Sequence, residues 1–297
     1  MAKQQFGGDW TQEKLHLLGK YLKAYTTIMA KQPFKFAYID AFAGTGYREE
    51  RADGDHKNSL STLFPEMAKE GPQGFFEGSA RVALGIEPRF LKYIFIEKSK
   101  ERSEELEKLK QEFPDREIHV KNGDANNELR MLCDKNENWR GQRAVLFLDP
   151  FGMNVEWSTI RAIAGTKAID MWLLFPLDSG VHRMLTNDGK MSEGWRNRLD
   201  LFFGENNWRE AFYEKRSQKN LFGEEEVTRR TADYQVIEDY FVKRLESVFE
   251  KVAQRPRKLY NSKGKPLFML CFAAGNLKGA PIAVKIANHI LKEPRHG

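Results

Sequence analysis

The stretch FAYIDAFAGTG, residues 36–46, decides the fold of this chain. It opens with an apolar and aromatic run that ends in an acid, Asp40, as a buried strand does. The turn after it carries two closely spaced glycines, Gly44 and Gly46, which let the backbone approach a ligand without a clash from Cβ. The stretch therefore predicts a strand-to-helix turn with an acidic side chain at a ligand site.

Similar apolar runs recur along the chain, and helical patterns lie between them. The predicted strands cover residues 36–40, 93–97, 117–120, 144–149 and 168–175. They lack polar alternation, which is typical of strands buried on both faces of a parallel sheet. Helices are predicted over 98–113, 125–132 and 155–164, and after Asp9 or Thr11 as the cap of an N-terminal helix. This alternation predicts a doubly wound α/β domain.

The pattern changes after residue 175. Residues 176–254 are predicted to form a mostly helical insert, with 234–252 as its best helix. Two further runs, 257–262 and 266–274, flank Lys263-Gly264-Lys265 and predict a β-hairpin, and a helix over 280–291 follows. Parallel strands that end in an antiparallel hairpin resemble the Rossmann-like seven-stranded sheet of class I methyltransferases. Residues 1–175 are then the cofactor half of the core, and 255–297 complete it.

Composition excludes several classes of protein. The 297 residues include no apolar run of the roughly 18 residues that cross a bilayer, and the first residues lack the apolar segment of a secretory signal. The two cysteines, Cys133 and Cys271, lie far apart in apolar surroundings and predict neither a disulfide scaffold nor a metal site. We expect a cytoplasmic protein without a membrane partner.

Positive charge is concentrated at one end of the chain. There are 48 Lys and Arg against 42 Asp and Glu, a net of +6. Residues 251–297 hold ten Lys and Arg and one acid, a net of +9, so the other 250 residues sum to −3. A basic end on a near-neutral body indicates a polyanionic partner such as nucleic acid. The alternative is a solvated surface that keeps the protein soluble.

Three more acids stand at places comparable to that of Asp40. Glu97 closes the second predicted strand, Asp124 follows the third, and Asp149 closes the fourth. The carboxyl ends of strands in an open α/β sheet meet at the crevice where ligands bind. Each acid alone is more often a helix cap or a loop residue than part of a ligand site. Together they predict four carboxylates at one ligand site.

These motifs resemble those of class I S-adenosylmethionine-dependent methyltransferases. The resemblance implies that DAFAGTG is the glycine-rich motif, that Glu97 binds the ribose hydroxyls, and that Asp124 faces the adenine amino group. With S-adenosylmethionine as cofactor, the implied binding residues are Asp40, Phe42, Ala43, Gly44, Thr45, Gly46, Ser79, Glu97, Lys98, Asp124 and Ala125. Ser79 is expected to cap a short helix over 78–84 beside the cofactor.

The segment DPFG, residues 149–152, is similar to the DPPY/NPPF motif of enzymes that methylate amino groups of adenine or cytosine. The resemblance implies a catalytic group of Asp149, Pro150 and Phe151, with Asp149 accepting a hydrogen bond from the target amine. The chain departs from the motif at its third and fourth positions, where Phe151 replaces proline and Gly152 replaces the aromatic residue. The base-stacking role is therefore without its usual residue.

The motifs as a set also resemble the three-Cys-motif partner (TcmP) family. They are DAFAGTG, Gly78-Ser79-Ala80, FIEK, GDAN, DPFG, VEWSTI over 155–160 and IDMW over 169–172. The family is named for its association with a separate protein that carries a three-cysteine motif. The resemblance covers residues 10–183 and implies a methyltransferase-like fold and such a partner, and it supplies no substrate.

Residues for the acceptor are sought among basic side chains near the crevice. Residues 47–78 form a charged, glycine-containing insert, and loops of that length are often functional. Arg48 in this insert, Arg183 after the fifth strand and Arg196 beside Trp195 are the candidates for binding substrate or nucleic acid.

Three functions remain open from the sequence. The first is methyl transfer to a nucleobase nitrogen, and the second is an accessory or binding subunit that acts with the three-Cys partner. The third is a nicotinamide-dependent oxidoreductase, which the missing third glycine of GTG and the terminal hairpin disfavour.

Overall fold

One large sheet with helices on both faces forms the core of the computed structural model, which describes residues 9–44, 78–134, 137, 139–220 and 223–294. Its strands are β1 (Lys35–Asp40), β2 (Lys92–Glu97), β3 (Ile118–Asn122), β4 (Gln142–Leu148), β5 (Ile169–Phe175), β8 (Lys251–Val252), β9 (Arg257–Tyr260) and β10 (Pro266–Ala274). The order is β3-β2-β1-β4-β5-β10-β8, and β9 also pairs with β10. The first five strands are parallel, and β10 runs antiparallel to β5. The predicted doubly wound fold with an antiparallel end is confirmed.

The predicted number of strands is wrong, because the sheet has eight strands and not seven. The difference lies at its outer edge, where β8 and β9 pair with the two ends of β10. Residues 253–256 separate them and end in Pro256, which has no N–H to donate to a neighbouring strand. The seventh position of the sheet is therefore filled by two short strands in line.

The helices divide between two hydrophobic cores, one on each face of the sheet. One face is covered by α1 (Asp9–Met29), α2 (Ser79–Leu84), α3 (Lys100–Glu112) and α9 (Ala280–Leu291). The other is covered by α4 (Ala125–Leu132), α5 (Trp157–Gly165), α6 (Glu193–Phe203), α7 (Trp208–Phe212) and α8 (Tyr234–Glu246). All seven residues of β5 are buried, and they alternate between the cores because strand side chains point to opposite faces. This two-sided burial explains why the strands read as unbroken apolar runs.

The insert is less helical than predicted. After β5 the chain makes a π-helical turn (Leu177–His182), and between α7 and α8 it forms an antiparallel ribbon of β6 (Tyr213–Asn220) and β7 (Gly223–Arg230). The ribbon is polar and mostly exposed, with cross-strand ion pairs such as Lys215–Glu226. Its strands are stabilised by hydrogen bonds and charge pairs, so they leave no apolar periodicity in the sequence.

Two helix boundaries also differ from those predicted. The helix predicted over 234–252 ends at Glu246, because Val252 pairs with Ala273 in the sheet. Thr11 does not cap the N-terminal helix, since α1 already includes Asp9 and Thr11 lies inside its first turn. Among the described residues, no helix combines the length and apolar character that crossing a membrane requires.

Candidate cofactor and acceptor site

The carboxyl ends of three neighbouring strands bring acidic side chains side by side. Asp40 ends β1 and Glu97 ends β2, the strand next to it. Asp149 directly follows β4 on the other side of β1, where Asp40 pairs with Phe147. Asp124 follows β3, the next strand outward. Because adjacent strands lie about 4.8 Å apart, the four acids form one row along this edge.

A tight turn after β1 is tied to both neighbouring strands. The N–H of Ala41 donates to the Phe147 carbonyl at 3.2 Å, and that of Ala43 donates to Ile96 at 3.1 Å. Gly44 has a φ of 64°, the left-handed region that a side chain disfavours. In this turn the main chain around Gly44 therefore lies close to the acidic side chains, with no side chain of its own at that position. Thr45, Gly46 and Arg48 lie outside the described residues.

Asp40 is fully buried at the centre of the row. Burial raises the pKa of its carboxyl to about 7, and the nearby charge of Asp149 adds to this effect. Hydrogen bonds from the Ser79 hydroxyl, from the N–H of Phe42 at 3.4 Å and from the Tyr38 hydroxyl at 3.3 Å oppose the shift. The carboxyl is thus poised to lose its proton when a cation binds beside it.

Glu97 is buried as well and links the glycine turn to β2. Its Oε2 accepts the N–H of Gly44 at 3.1 Å, and its Oε1 accepts the N–H of Ser99 at 2.8 Å. Arg102 lies 3.1 Å from the same Oε1. A carboxylate has about four acceptor positions, so the Oε2 side retains room for a further hydroxyl donor.

Asp124 has a structural role that the sequence left open. It is the N-cap of α4, and its Oδ1 accepts the N–H groups of Asn126 at 3.1 Å and Asn127 at 3.4 Å. Its Oδ2 lies 3.4 Å from Lys98 Nζ at the surface, while Ala125 behind it is buried. The cap uses only Oδ1, and Oδ2, which accepts from Lys98, has a second acceptor position for a ligand amine.

Ser79 does not cap the short helix α2 as predicted. Gly78 is the N-cap, no side chain caps the helix, and Ser79 is its first residue. The hydroxyl bonds to Asp40 instead. A buried carboxyl needs hydrogen-bond donors, and Ser79 supplies one from across the crevice.

Asp149 is held by a lysine from a distant part of the chain. Lys14 of α1, 1% exposed, donates through Nζ to Asp149 Oδ2. The same ammonium lies 5.2 Å from the Trp10 ring and 6.0 Å from the Phe147 ring. Sequence reasoning missed Lys14, because 135 residues separate the two partners and a single lysine on a helix carries no signal.

The segment after Asp149 places an aromatic ring at the surface. Pro150 is buried and Phe151 is 46% exposed. Gly152, at the motif's usual aromatic position, has a φ of 68°, which suits glycine. Phe151 is therefore the aromatic side chain that this loop presents to solvent.

Two of the three predicted arginines lie within the described residues, and neither stands at the carboxyl end of a strand that carries one of the four acids. Arg183 is exposed just after the π-helical turn, and Arg196 is exposed on α6. The neighbour Arg198, which sequence reasoning missed, reaches Asn154 Oδ1 at 3.3 Å, in the loop that follows DPFG.

A second polar cluster lies at the carboxyl end of β5. Asp178 accepts a hydrogen bond from the Tyr234 hydroxyl at 2.7 Å and lies 3.3 Å from His182 Nδ1. The hydrogen bond with His182 is the main cause that lowers the pKa of Asp178 to about 2. The turn that carries the cluster packs closely on the DPFG loop, since a Cβ on Gly180 would lie 3.2 Å from Met153.

Comparison with solved structures gives distant likenesses that span most of the chain. Protein LPL1258 from Legionella pneumophila is 12% identical, with 96% of this chain and 92% of that chain covered and a TM-score of 0.48. Human methyltransferase-like protein 13 in complex with SAH is 11% identical, with 97% and 95% covered and a TM-score of 0.39. An S-adenosylmethionine-dependent methyltransferase from Clostridium acetobutylicum is 12% identical, with 86% and 92% covered and a TM-score of 0.34.

Because these TM-scores lie below 0.5, the fold class rests on the strand order of this chain. No family model matches the chain, and no curated protein matches it. The resemblance to the three-Cys-motif partner family therefore stays a prediction. What the strand order defines is the Rossmann-like sheet of class I methyltransferases with its outer edge divided in two.

Proposed function

We propose that this protein is an S-adenosylmethionine-dependent methyltransferase that methylates an exocyclic amine of a nucleobase. The observation that carries the proposal is the row of Asp124, Glu97, Asp40 and Asp149 across β3-β2-β1-β4, with the glycine turn beside it. Ligands of open α/β sheets bind at the carboxyl ends of the strands, where this row stands.

The cofactor half of the row has one acid for each polar part of the cofactor. Asp40 receives the ammonium of the methionine moiety, and Glu97 receives the ribose hydroxyls through its Oε2 side. Asp124 meets the adenine amino group with the oxygen that does not cap α4. Because Gly44 has no Cβ, the cofactor can approach the main chain closely at this position.

Asp149 and Phe151 form the acceptor half. Lys14 binds Oδ2 and fixes the carboxylate, so that Oδ1 accepts an N–H of the target amine and turns its lone pair toward the methyl group. Phe151 supplies a ring face for the base. The bound cofactor supplies an activated methyl group, and the proton that the nitrogen loses passes to Asp149 or to water.

Two observations favour a second function, that of an accessory subunit acting with a three-Cys-motif protein. The ammonium of Lys14 already occupies one oxygen of Asp149, and DPFG lacks the usual fourth-position aromatic. An accessory subunit retains cofactor binding but transfers no methyl group in isolation. Turnover by the isolated chain separates the two functions.

The first test is calorimetric titration of the purified chain with S-adenosylmethionine, with NADH as the control ligand. We expect micromolar affinity for the sulfonium cofactor and none for NADH. No binding of S-adenosylmethionine, either alone or with the three-Cys partner present, would refute the proposed site.

The second test follows labelled-methyl transfer to nucleic acid by Asp149→Asn. We expect cofactor affinity within a few-fold of the original chain and transfer lowered by at least about 100-fold. Lys14→Met serves as the matched variant, since it frees Asp149 Oδ2 while keeping the carboxylate. Equal losses of binding and transfer in Asp149→Asn would show that the residue maintains the fold and not the reaction.

A further inference from the structure

A cleft at the outer edge of the sheet is lined by cations. It lies between β8 and α9 and has a volume of about 470 Å³. Its lining includes the charged side chains of Lys251, Lys285 and Lys292, and His289 and Asn288 add an imidazole and an amide. Within the described part of the chain, no acidic residue lines it. Its chemistry therefore fits an anion with several charges.

Helix periodicity places these cations on one face. Lys285, His289 and Lys292 follow each other at spacings of four and three residues, so they project from the same side of α9. The buried side of the helix consists of Ala280, Ala287, Ile290 and Leu291. The stripe of cations is exposed because the apolar face of α9 must pack on the sheet.

The lysines of the cleft differ from those of α3 in their neighbours. Lys100, Lys108 and Lys110 of α3 each lie within 4.0 Å of a glutamate of the same helix. Lys251, Lys285 and Lys292 have no ion pair among the residues that the structure describes. Surface lysines that keep only the protein soluble are usually interspersed with acids, as on α3.

The acid that follows Lys292 is already paired. Glu293 follows Lys292 and binds Lys20 of α1 at 2.5 Å, and this contact lowers the pKa of Glu293. His16 and His289 lie close enough to add to that effect. The negative charge of Glu293 is therefore offset by Lys20 and does not neutralise the lysines of the cleft.

Helix α1 connects this cleft to the acceptor site. Lys20 touches the segment after α9, and Lys14 of the same helix binds Asp149. They are six positions apart, which is about 9 Å along a helix axis. Helix α1 therefore contacts both the segment that follows the cleft and the acceptor side of the sheet.

We propose that the cleft binds the phosphodiester backbone of a single-stranded nucleic acid. Phosphates at repeated intervals match a stripe of unpaired lysines, and a base must be unstacked from any duplex to reach Asp149. That the bound strand is also the methyl acceptor rests on the proposed function. Binding of phosphates in the cleft does not depend on it.

The test measures binding of a fluorescent single-stranded RNA of about 30 nucleotides by anisotropy, without cofactor, between about 50 and about 200 mM salt. The variant is Lys251→Gln/Lys285→Gln/Lys292→Gln, and the matched control is Lys100→Gln/Lys108→Gln/Lys110→Gln. Both remove three positive charges. We expect the cleft variant to bind at least about 10-fold more weakly and its salt slope to fall by about 2. The control should stay within about twofold.

Three outcomes would overturn the inference: no RNA binding by the original chain, equal losses in both triple variants, or stronger binding to anionic lipid vesicles than to RNA. Thermal unfolding of each variant shows that the fold is intact. The proposed function fails separately, in the titration with S-adenosylmethionine. If the chain binds no cofactor but shows the expected salt slope for RNA, the inference about the cleft is supported and the proposed methyl transfer is refuted.

Discussion

Asp40 and Asp170 are two buried carboxyls at opposite edges of the same sheet. Asp40 ends β1 at the carboxyl edge, and Asp170 is the second residue of β5, at the amino edge. Burial raises the pKa of each to about 7. Each also accepts a hydrogen bond from a tyrosine, Tyr38 at 3.3 Å and Tyr21 at 2.8 Å respectively.

The surroundings of the two acids differ although their pKa values agree. Asp40 has a glycine turn beside it, a serine hydroxyl on it and a second carboxylate nearby. Asp170 lies among packed aromatics, since Tyr21 also contacts the rings of Trp172 and Phe272. A raised pKa therefore identifies burial and not function, and position at the crevice distinguishes the two. The predictions below separate these two roles.

The largest expected effect is on the pH dependence of stability in Asp170→Asn. Because the folded pKa lies above that of an unfolded aspartate, the folded state holds the extra proton between about pH 4 and 7. The free energy of unfolding therefore falls as pH rises through this window. Removing the acid should shrink the fall between about pH 4.5 and 8 by on the order of 3 kcal/mol. Urea unfolding at several pH values measures it.

Asp40→Asn serves as the comparison in that experiment. It should flatten the same part of the stability profile by a similar amount, because its folded pKa is raised to the same value. A profile that neither substitution changes would mean that both carboxyls ionise as they do in the unfolded chain.

The next effect is on cofactor affinity, where substitutions of the two acids should have different results. Asp40→Asn removes the charge assigned to the cofactor ammonium, so we expect S-adenosylmethionine to bind about 100-fold more weakly, the loss of a charged hydrogen bond. Asp170→Asn should bind it within about twofold of the original chain. Calorimetry on both variants measures the difference, and equal affinities would remove Asp40 from the site.

A smaller effect is the pH dependence of that affinity. The ammonium binds beside ionised Asp40, whose pKa is about 7 before binding, so binding must displace a proton at lower pH. We expect affinity roughly tenfold weaker at about pH 6 than at about pH 8. Titrations in buffers of different ionisation enthalpy should show proton release below pH 7. Asp40→Asn should abolish the pH dependence, whereas Asp170→Asn should retain it.

The sequence predicted the sheet well because two-sided burial leaves unbroken apolar runs. The parallel strands and α4 and α9 were placed within a few residues. The ribbon of β6 and β7 was missed because its strands bury little and its pairing is set by partners across the turn. The division of the outer edge falls at residues 253–256, a short stretch that has no apolar periodicity to mark it.

Only those site residues that follow a recognisable local sequence pattern could be predicted. Asp40 and Glu97 each end a strand and Asp149 directly follows one, so their shared edge followed from topology. Lys14 comes from a helix more than a hundred residues away, and nothing near it in sequence marks its partner. Ser79 was predicted beside the cofactor as a cap, whereas it bonds to Asp40. The roles of Lys14 and Ser79 are set by tertiary contacts, which the sequence around each residue does not show.

The smallest effect compares the two tyrosines. Tyr21→Phe removes the hydroxyl that donates to Asp170 and should lower the free energy of unfolding by about 1 kcal/mol. The cost should be larger at about pH 8 than at about pH 5, because the hydrogen bond favours the ionised carboxylate and lowers its pKa. Tyr38→Phe, which removes the longer bond to Asp40, should cost less stability and should weaken S-adenosylmethionine binding at about pH 6 to 7. A reversed pattern, with cofactor affinity lowered by Tyr21→Phe alone, would place the ligand at the amino edge of the sheet.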